Sequence, residues 1–189
     1  MTGRRQPRKI TPRSLENAAT AYLQRFAASA ESLRRVLMRR VQRSAAVHGT
    51  DQDQGAALVS ALIERYGAAG LIDDRAFAEG RAVSLHRRGQ PQRRIRHHLA
   101  ERGVAAADIE AALAALDEAD PPDGVRADTR AAFNLARRRR LGPFRPEAER
   151  AAKRDRDLAA LARAGYPYAL ARRLIDAETP EAFLHAEDT

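Results

Sequence analysis

The chain repeats itself. The run Leu99-Ala-Glu-Arg-Gly103-Val104 returns as Leu161-Ala-Arg-Ala-Gly165-Tyr166, and the same offset carries Leu113 onto Ile175. Upstream, Leu33 and Leu37 take the parts of Ile95 and Leu99. A repeat of this kind restricts the fold to stacked units, because a few short helices bury little alone and complete their core against a neighbour. The repeated unit reads as helix. Its apolar positions are mostly Ala and Leu, aromatic residues make up only 5% of the 189, and there is no Trp. Ala and Leu lose little freedom in a helix. A core made of them is thin, which favours several small units over one thick core.

Caps and breakers divide the chain. Residues 1–13 read as a disordered basic tail with Pro7 and Pro12. Leu15, Ala19, Tyr22, Leu23 and Phe26 then recur at helical spacing. Ser29 is placed to cap a second, short helix carrying Leu33, Val36 and Leu37. Val47 to Gly55 reads as a polar loop, and a third helix runs from about Ala56 to Tyr66 before Gly67 and Gly70. Asp73 or Asp74 caps the next helix, through Phe77, Ala78 and Val83 to about Arg88. Pro91 suits the first turn of the following one, whose inward residues are Ile95 and Leu99 and whose end is Gly103. Asp108 opens a helix with Ile109, Ala112, Leu113 and Leu116 inward. Beyond a linker, helices are predicted from near Val125 to Arg140, from Glu147 to Arg163, and from Tyr168 to Ala177. The map is helical repeat 1 over 14–70, repeat 2 over 71–118, a linker at 119–124, repeat 3 over 125–177, and a tail at 178–189.

The formal net charge is +9, and only Lys9 and Lys153 among the 34 basic residues are lysines. Such a surplus points to a polyanion or an acidic protein surface. Its placement is more informative than its size. Residues 81–102 carry seven arginines against Glu101, residues 103–128 carry seven acids against Arg126, and residues 130–156 carry ten basic residues against three acids. A merely solvated surface would mix the signs. With Ile95 and Leu99 inward, Arg93, Arg94, Arg96 and His97 point outward. For Arg137 to Arg140 the bland alternative is a helix C-terminus, where each cation stabilises by about 0.3–1 kcal/mol with no ligand.

Enzyme chemistry finds little footing. Asp73–Asp74 is a carboxylate pair, but directly before a helix a carboxylate caps orphan N–H groups. His86, His97 and His98 are placed to be solvated or to face nucleic acid, since adjacent side chains diverge by about 100° on a helix. There is no cysteine, hence no disulfide or thiolate metal site, and no apolar run approaches the roughly 20 residues of a membrane span. The expectation is a cytoplasmic, non-enzymatic protein with no cofactor and no metal.

Four motifs in order resemble the RecX family. Ser29 to Leu37 resembles its Ser-x-x-x-Leu-x-x-x-Leu element, and Gly70-Leu-Ile-Asp73-Asp74-Arg-Ala-Phe77-Ala its turn, paired aspartates and Phe-Ala helix opening. Arg93 to Val104 resembles the basic, Ile, Leu, basic-Gly element, and Leu161 to Ile175 the closing Leu-x-x-x-Gly-aromatic element. The chain departs from the pattern after Leu37, where the basic-Gly pair is replaced by the polar loop, and at Ala164, where a basic residue is usual. The resemblance implies an all-α fold of three tandem three-helix repeats in an elongated, curved arrangement. It implies a monomer that docks into RecA–DNA filaments and alters, most simply inhibits, their ATPase and strand exchange in homologous recombination, DNA repair and the SOS response. On this reading Asp73, Asp74, Phe77, Ile95, Leu99, Gly103, Leu161 and Gly165 are structural. The residues expected to face RecA, or weakly held single- or double-stranded DNA, are Arg87, Arg88, Arg93, Arg94, Arg96, His97, Arg137, Arg138, Arg139, Arg140, Lys153 and Arg154. The alternative is a stand-alone basic helical protein that recognises the nucleic-acid backbone. Few aromatics are available to stack on bases, which counts against single-strand specificity.

Overall fold

The computed structural model describes residues 8–118 and 126–185. Ten α-helices and one 3-10 turn make up its regular structure, with no strand among the described residues. The all-α expectation is met. The helices are α1 (Pro12–Leu23), α2 (Ala30–His48), α3 (Gln52–Ala68), α4 (Asp74–Arg87), α5 (Gln92–Glu101), α6 (Ala106–Glu118), α7 (Ala127–Arg139), α8 (Glu147–Ala164), α9 (Tyr168–Ile175) and α10 (Pro180–His185). The 3-10 turn, Gly142–Phe144, lies between α7 and α8. The predicted linker and most of the basic tail lie outside the described residues.

Tertiary contacts gather the chain into two compact units. Among the described residues, one takes 8–77 together with 101–105; the other takes 78–100, 106–118 and 126–185. The sequence predicts three repeats, so the boundaries differ, and the reason is local. The turn after α5 docks on the start of α2, where a Cβ on Gly103 would come within 2.4 Å of Glu31 Cβ.

In the first unit, Leu15 and Ala19 of α1, Leu33, Leu37 and Val41 of α2, and Val59, Leu62, Ile63 and Tyr66 of α3 form one buried cluster. Thr11 and Ser14 cap α1 reciprocally, so regular structure begins inside the segment expected to be a tail. Ser29 caps α2, accepting from Ser32 N–H, and its hydroxyl donates to the Arg102 carbonyl at 2.6 Å. The expected loop from Val47 to Gly55 shrinks to Gly49, Thr50 and Asp51. Asp51 caps α3 by accepting from the N–H groups of Asp53 and Gln54, and Val41 packs against Gly55 inside the helix. A polar run was therefore two helix ends and one cap.

The two aspartates divide their work. Asp73 caps its own helix, accepting from Ala76 N–H at 2.9 Å. Asp74 instead accepts from Ala30 N–H, the first amide of α2, at 2.7 Å. The second unit repeats this bond: Asp128, in the first turn of α7, accepts from Gln92 N–H, the first amide of α5, at 2.7 Å. Its core is formed by Ala131, Ala132, Leu135 and Ala136 of α7 with Leu158, Leu161, Tyr166, Leu174 and Ile175. Residues 178–189, expected to be a tail, contain α10, whose Phe183 is 1% exposed within that cluster. α6 starts at Ala106, so Asp108 lies in its first turn instead of opening it.

Asp157 is the least expected core residue, a carboxylate 1% exposed. It accepts from Gly142 N–H at 3.0 Å and from both arms of Arg145 at 2.7 and 2.9 Å. Burial pushes its carboxyl up, but the Arg145 guanidinium and the Gly142 amide outweigh that and hold it below the ordinary 3.8. A group depressed in this way contributes stability above its unfolded pKa and loses it as pH falls through the folded value. Asp157→Ala should cost about 2 kcal/mol in urea denaturation at neutral pH, because it leaves the buried Gly142 amide and the half-buried Arg145 guanidinium without their acceptor. The deficit should shrink as the pH is lowered through the acid range below about 4. Asp74→Ala and Asp128→Ala should each cost about 1 kcal/mol, the value of a helix cap, in the same measurement.

Candidate interface: the arginine face of the second unit

The turn between α4 and α5 is the centre of the basic region. Gly89 has φ 78°, and a Cβ there would lie 2.6 Å from Leu135 Cβ and 2.9 Å from the Ala131 carbonyl. Only glycine combines that left-handed conformation with so close an approach to α7. Tyr166, from the turn between α8 and α9, donates its hydroxyl to the Gly89 carbonyl at 3.1 Å. Burial, chiefly, and the nearby Asp128 carboxylate push this phenol far above its ordinary value, so it remains a donor. His86 is buried and donates to the Ala127 carbonyl at 2.7 Å. The expectation of a solvated histidine fails there, because the ring supplies a bond between α4 and α7.

These bonds bring together arginines that lie far apart in sequence. Arg138 donates to the Arg88 carbonyl at 2.8 Å, which sets the end of α7 beside the end of α4. Arg94 donates to the Arg163 carbonyl, setting the start of α5 beside the end of α8. Arg87, Arg88, Arg93, Arg139 and Arg140 are exposed. No carboxylate among the described residues pairs with any of these five or with the half-buried Lys153. Arg137 lies over the Phe133 ring with its guanidinium carbon 5.9 Å from the centroid.

Two further expected contact residues are paired with carboxylates of the chain. Arg96 forks Glu110 at 2.8 and 2.9 Å, and Arg154 forks Asp176 at 2.6 and 2.7 Å. The Arg154 guanidinium holds the Asp176 carboxyl below its ordinary range. Their planar forks are committed to planar carboxylates. His97 is exposed and makes its own interaction within the chain. His98 accepts from Arg81 at 3.1 Å, and no group of three or more His, Cys, Asp or Glu among the described residues is placed to hold a metal. Of the residues read as structural, Ile95, Leu99 and Leu161 are fully buried, Phe77 is half-buried, and Gly103 and Gly165 end helices at φ 73° and 98°.

Arg140 is unusual. It ends α7 at φ 54°, the one non-glycine residue with positive φ among those described. Elsewhere this conformation is taken by glycines such as Gly49 and Gly165. Holding a side chain in the left-handed region costs about 1–2 kcal/mol. Arg140→Gly should therefore raise the thermal midpoint, by about 1 kcal/mol of stability, while removing one exposed cation. An unchanged or lowered midpoint would mean that the arginine side chain itself supports the fold.

Comparison with known proteins gives this face a family. A model of the RecX second three-helix domain matches residues 73–113, which include Asp73, Asp74, Gly89 and the arginines of α5. A Regulatory protein RecX from Myxococcus xanthus is 42% identical over 176 residues, 92% of this chain and 90% of the relative. Another from Agrobacterium fabrum is 33% identical over 88% of this chain and 84% of its own length, and one from Thermobifida fusca 34% identical over 64% and 61%. No solved structure matches. No helix among the described residues is long and apolar enough to cross a membrane. The shared length and identity with the Myxococcus xanthus relative, together with the matched domain, show that this chain belongs to the RecX family.

Proposed function

We propose that this chain is a non-enzymatic regulator that binds the RecA filament and lowers its ATPase and strand-exchange activity. Family membership over nearly the whole chain carries the reading. The arginine face supports it. Five exposed guanidiniums without carboxylate partners sit on elements held in place by Gly89, Tyr166 and Asp128. Holding the backbone that carries them reduces the freedom lost when they meet an anionic surface. A filament offers anions of two kinds, protein carboxylates and DNA phosphates. The unpaired arginines therefore also favour a second reading, a stand-alone protein on the nucleic-acid backbone.

The triple substitution Arg87→Glu, Arg88→Glu, Arg93→Glu reverses charge on exposed side chains and leaves Ile95, Leu99 and the Gly89 turn intact. The wild-type chain should depress RecA's ATP hydrolysis on single-stranded DNA, and the triple variant should lose most of that effect with its helicity unchanged. Where a side chain meets phosphate, its loss should flatten the dependence of log affinity on log salt by about 0.7–0.9. Inhibition that falls while bare-DNA binding and its salt slope hold assigns the face to protein. A wild-type chain without effect on RecA over a wide concentration range overturns the proposal.

A further inference from the structure

One groove in the second unit has a composition that its own packing does not explain. It is lined by Gly80, Val83, Ser84, Arg87, Arg88 and Arg138, with a volume of about 370 Å³. Gly80, Val83, Ser84 and Arg87 follow one another at the three- and four-residue steps of a single helical face. The floor is thus one side of α4, and Arg88 and Arg138 form its wall.

Gly80 lies in the middle of α4, where almost any other residue is a better helix former. A Cβ at this position would meet nothing within 4 Å, and its backbone does not take the left-handed conformation. Neither neighbours nor φ requires glycine there, in contrast to Gly89. What its missing side chain does provide is open depth in the groove. Beside it Val83 is 38% exposed, an apolar side chain among cations. Ser84 offers a hydroxyl at the half-buried edge. Arg87 and Arg88 have no carboxylate partner among the described residues, and Arg138 spends one arm on the Arg88 carbonyl while keeping its other donors. No acidic residue lines the groove.

We propose that this groove holds an acidic segment of a partner protein, which lays an apolar side chain over Gly80 and Val83 and gives its carboxylates to Arg87, Arg88 and Arg138. The charge selects an acidic partner, since guanidiniums fork carboxylates bidentately. The floor selects protein over nucleic acid. A phosphodiester backbone uses donors but gains nothing from an open pocket beside an exposed valine, and the groove has no aromatic ring on which a base would stack. The inference rests on the RecA reading only for the identity of the partner, not for the chemistry of the groove.

Gly80→Leu tests it, because leucine fills the floor, keeps every charge and improves the helix. The probes are a fluorescent peptide of Glu, Asp and Leu, the same peptide with Leu replaced by Ser, and labelled oligothymidylate, each titrated against the full chain. The wild type should bind the Leu peptide about tenfold more tightly than the Ser peptide, a difference of about 1.4 kcal/mol. Gly80→Leu should abolish that preference while melting no lower than wild type and holding oligothymidylate equally well. Arg87→Glu should weaken both peptides. Equal binding of the two peptides by wild type, or a preference that survives in Gly80→Leu, overturns the proposal. So does oligothymidylate being the probe that Gly80→Leu releases, which would make nucleic acid the occupant. In RecA ATPase assays a null wild type would fail the functional reading alone, leaving the peptide result to stand. Equal inhibition by wild type and Gly80→Leu would show that RecA is not the groove's partner.

Discussion

One hydrogen bond, made twice, organises the chain. An aspartate in the first turn of one helix caps the first amide of a helix that comes earlier in sequence: Asp74 on Ala30, and Asp128 on Gln92. In each case a turn from farther along the chain closes on the same helix start. Gly103 comes against Glu31 on α2, and Gly165 against Arg94 on α5. A carboxylate both satisfies an orphan N–H and complements the positive end of the helix. In this chain it also fixes register, because the two partners belong to different segments. The thin Ala- and Leu-rich cores need that specification, since small side chains interdigitate with less selectivity than large ones.

What the sequence reveals and what it hides divide along the same line. Ile95, Leu99, Leu161 and Gly89 were legible because periodicity and glycine are local signals, and α4, α5, α8 and α9 begin and end near their expected bounds. The loop expected at Val47–Gly55 was misjudged because polar side chains such as Asp51 and Gln52 serve helix ends as readily as loops, and because Gly55 is covered by Val41 of another helix. Phe183 sits in a short, polar-flanked segment with no visible period, and only its place in the α7–α9 cluster keeps it buried. The buried Asp157 gave no warning, because its partners are a backbone amide and an arginine twelve residues back.

The basic face shows the same limit at the level of charge. A count of arginines marks the basic regions but does not separate those already spent. Arg96 and Arg154 each fork a carboxylate of a neighbouring helix, and Arg94 and Arg138 each give an arm to a carbonyl at another helix end. These four hold helices in place. Arg87, Arg88, Arg93, Arg139 and Arg140 carry charge outward without such a role. The count of 34 basic residues thus overstates what a partner meets as free cation, and the segregation seen in sequence is partly a record of internal pairing.

The bond between Tyr166 and the Gly89 carbonyl spans 77 residues, and it gives the chain a temporal order. On the ribosome, the first unit has all its segments once residue 105 has emerged, so its caps and core can form early. The second unit cannot. Residues 78–100 must wait, with the Gly89 carbonyl hydrated, until α7 and the Tyr166 turn arrive, and Phe183 closes the cluster after them. The arginine face is therefore assembled only after the Tyr166 turn has emerged, so a chain truncated before that turn would carry the charges of α4, α5 and α7 without the frame that aligns them.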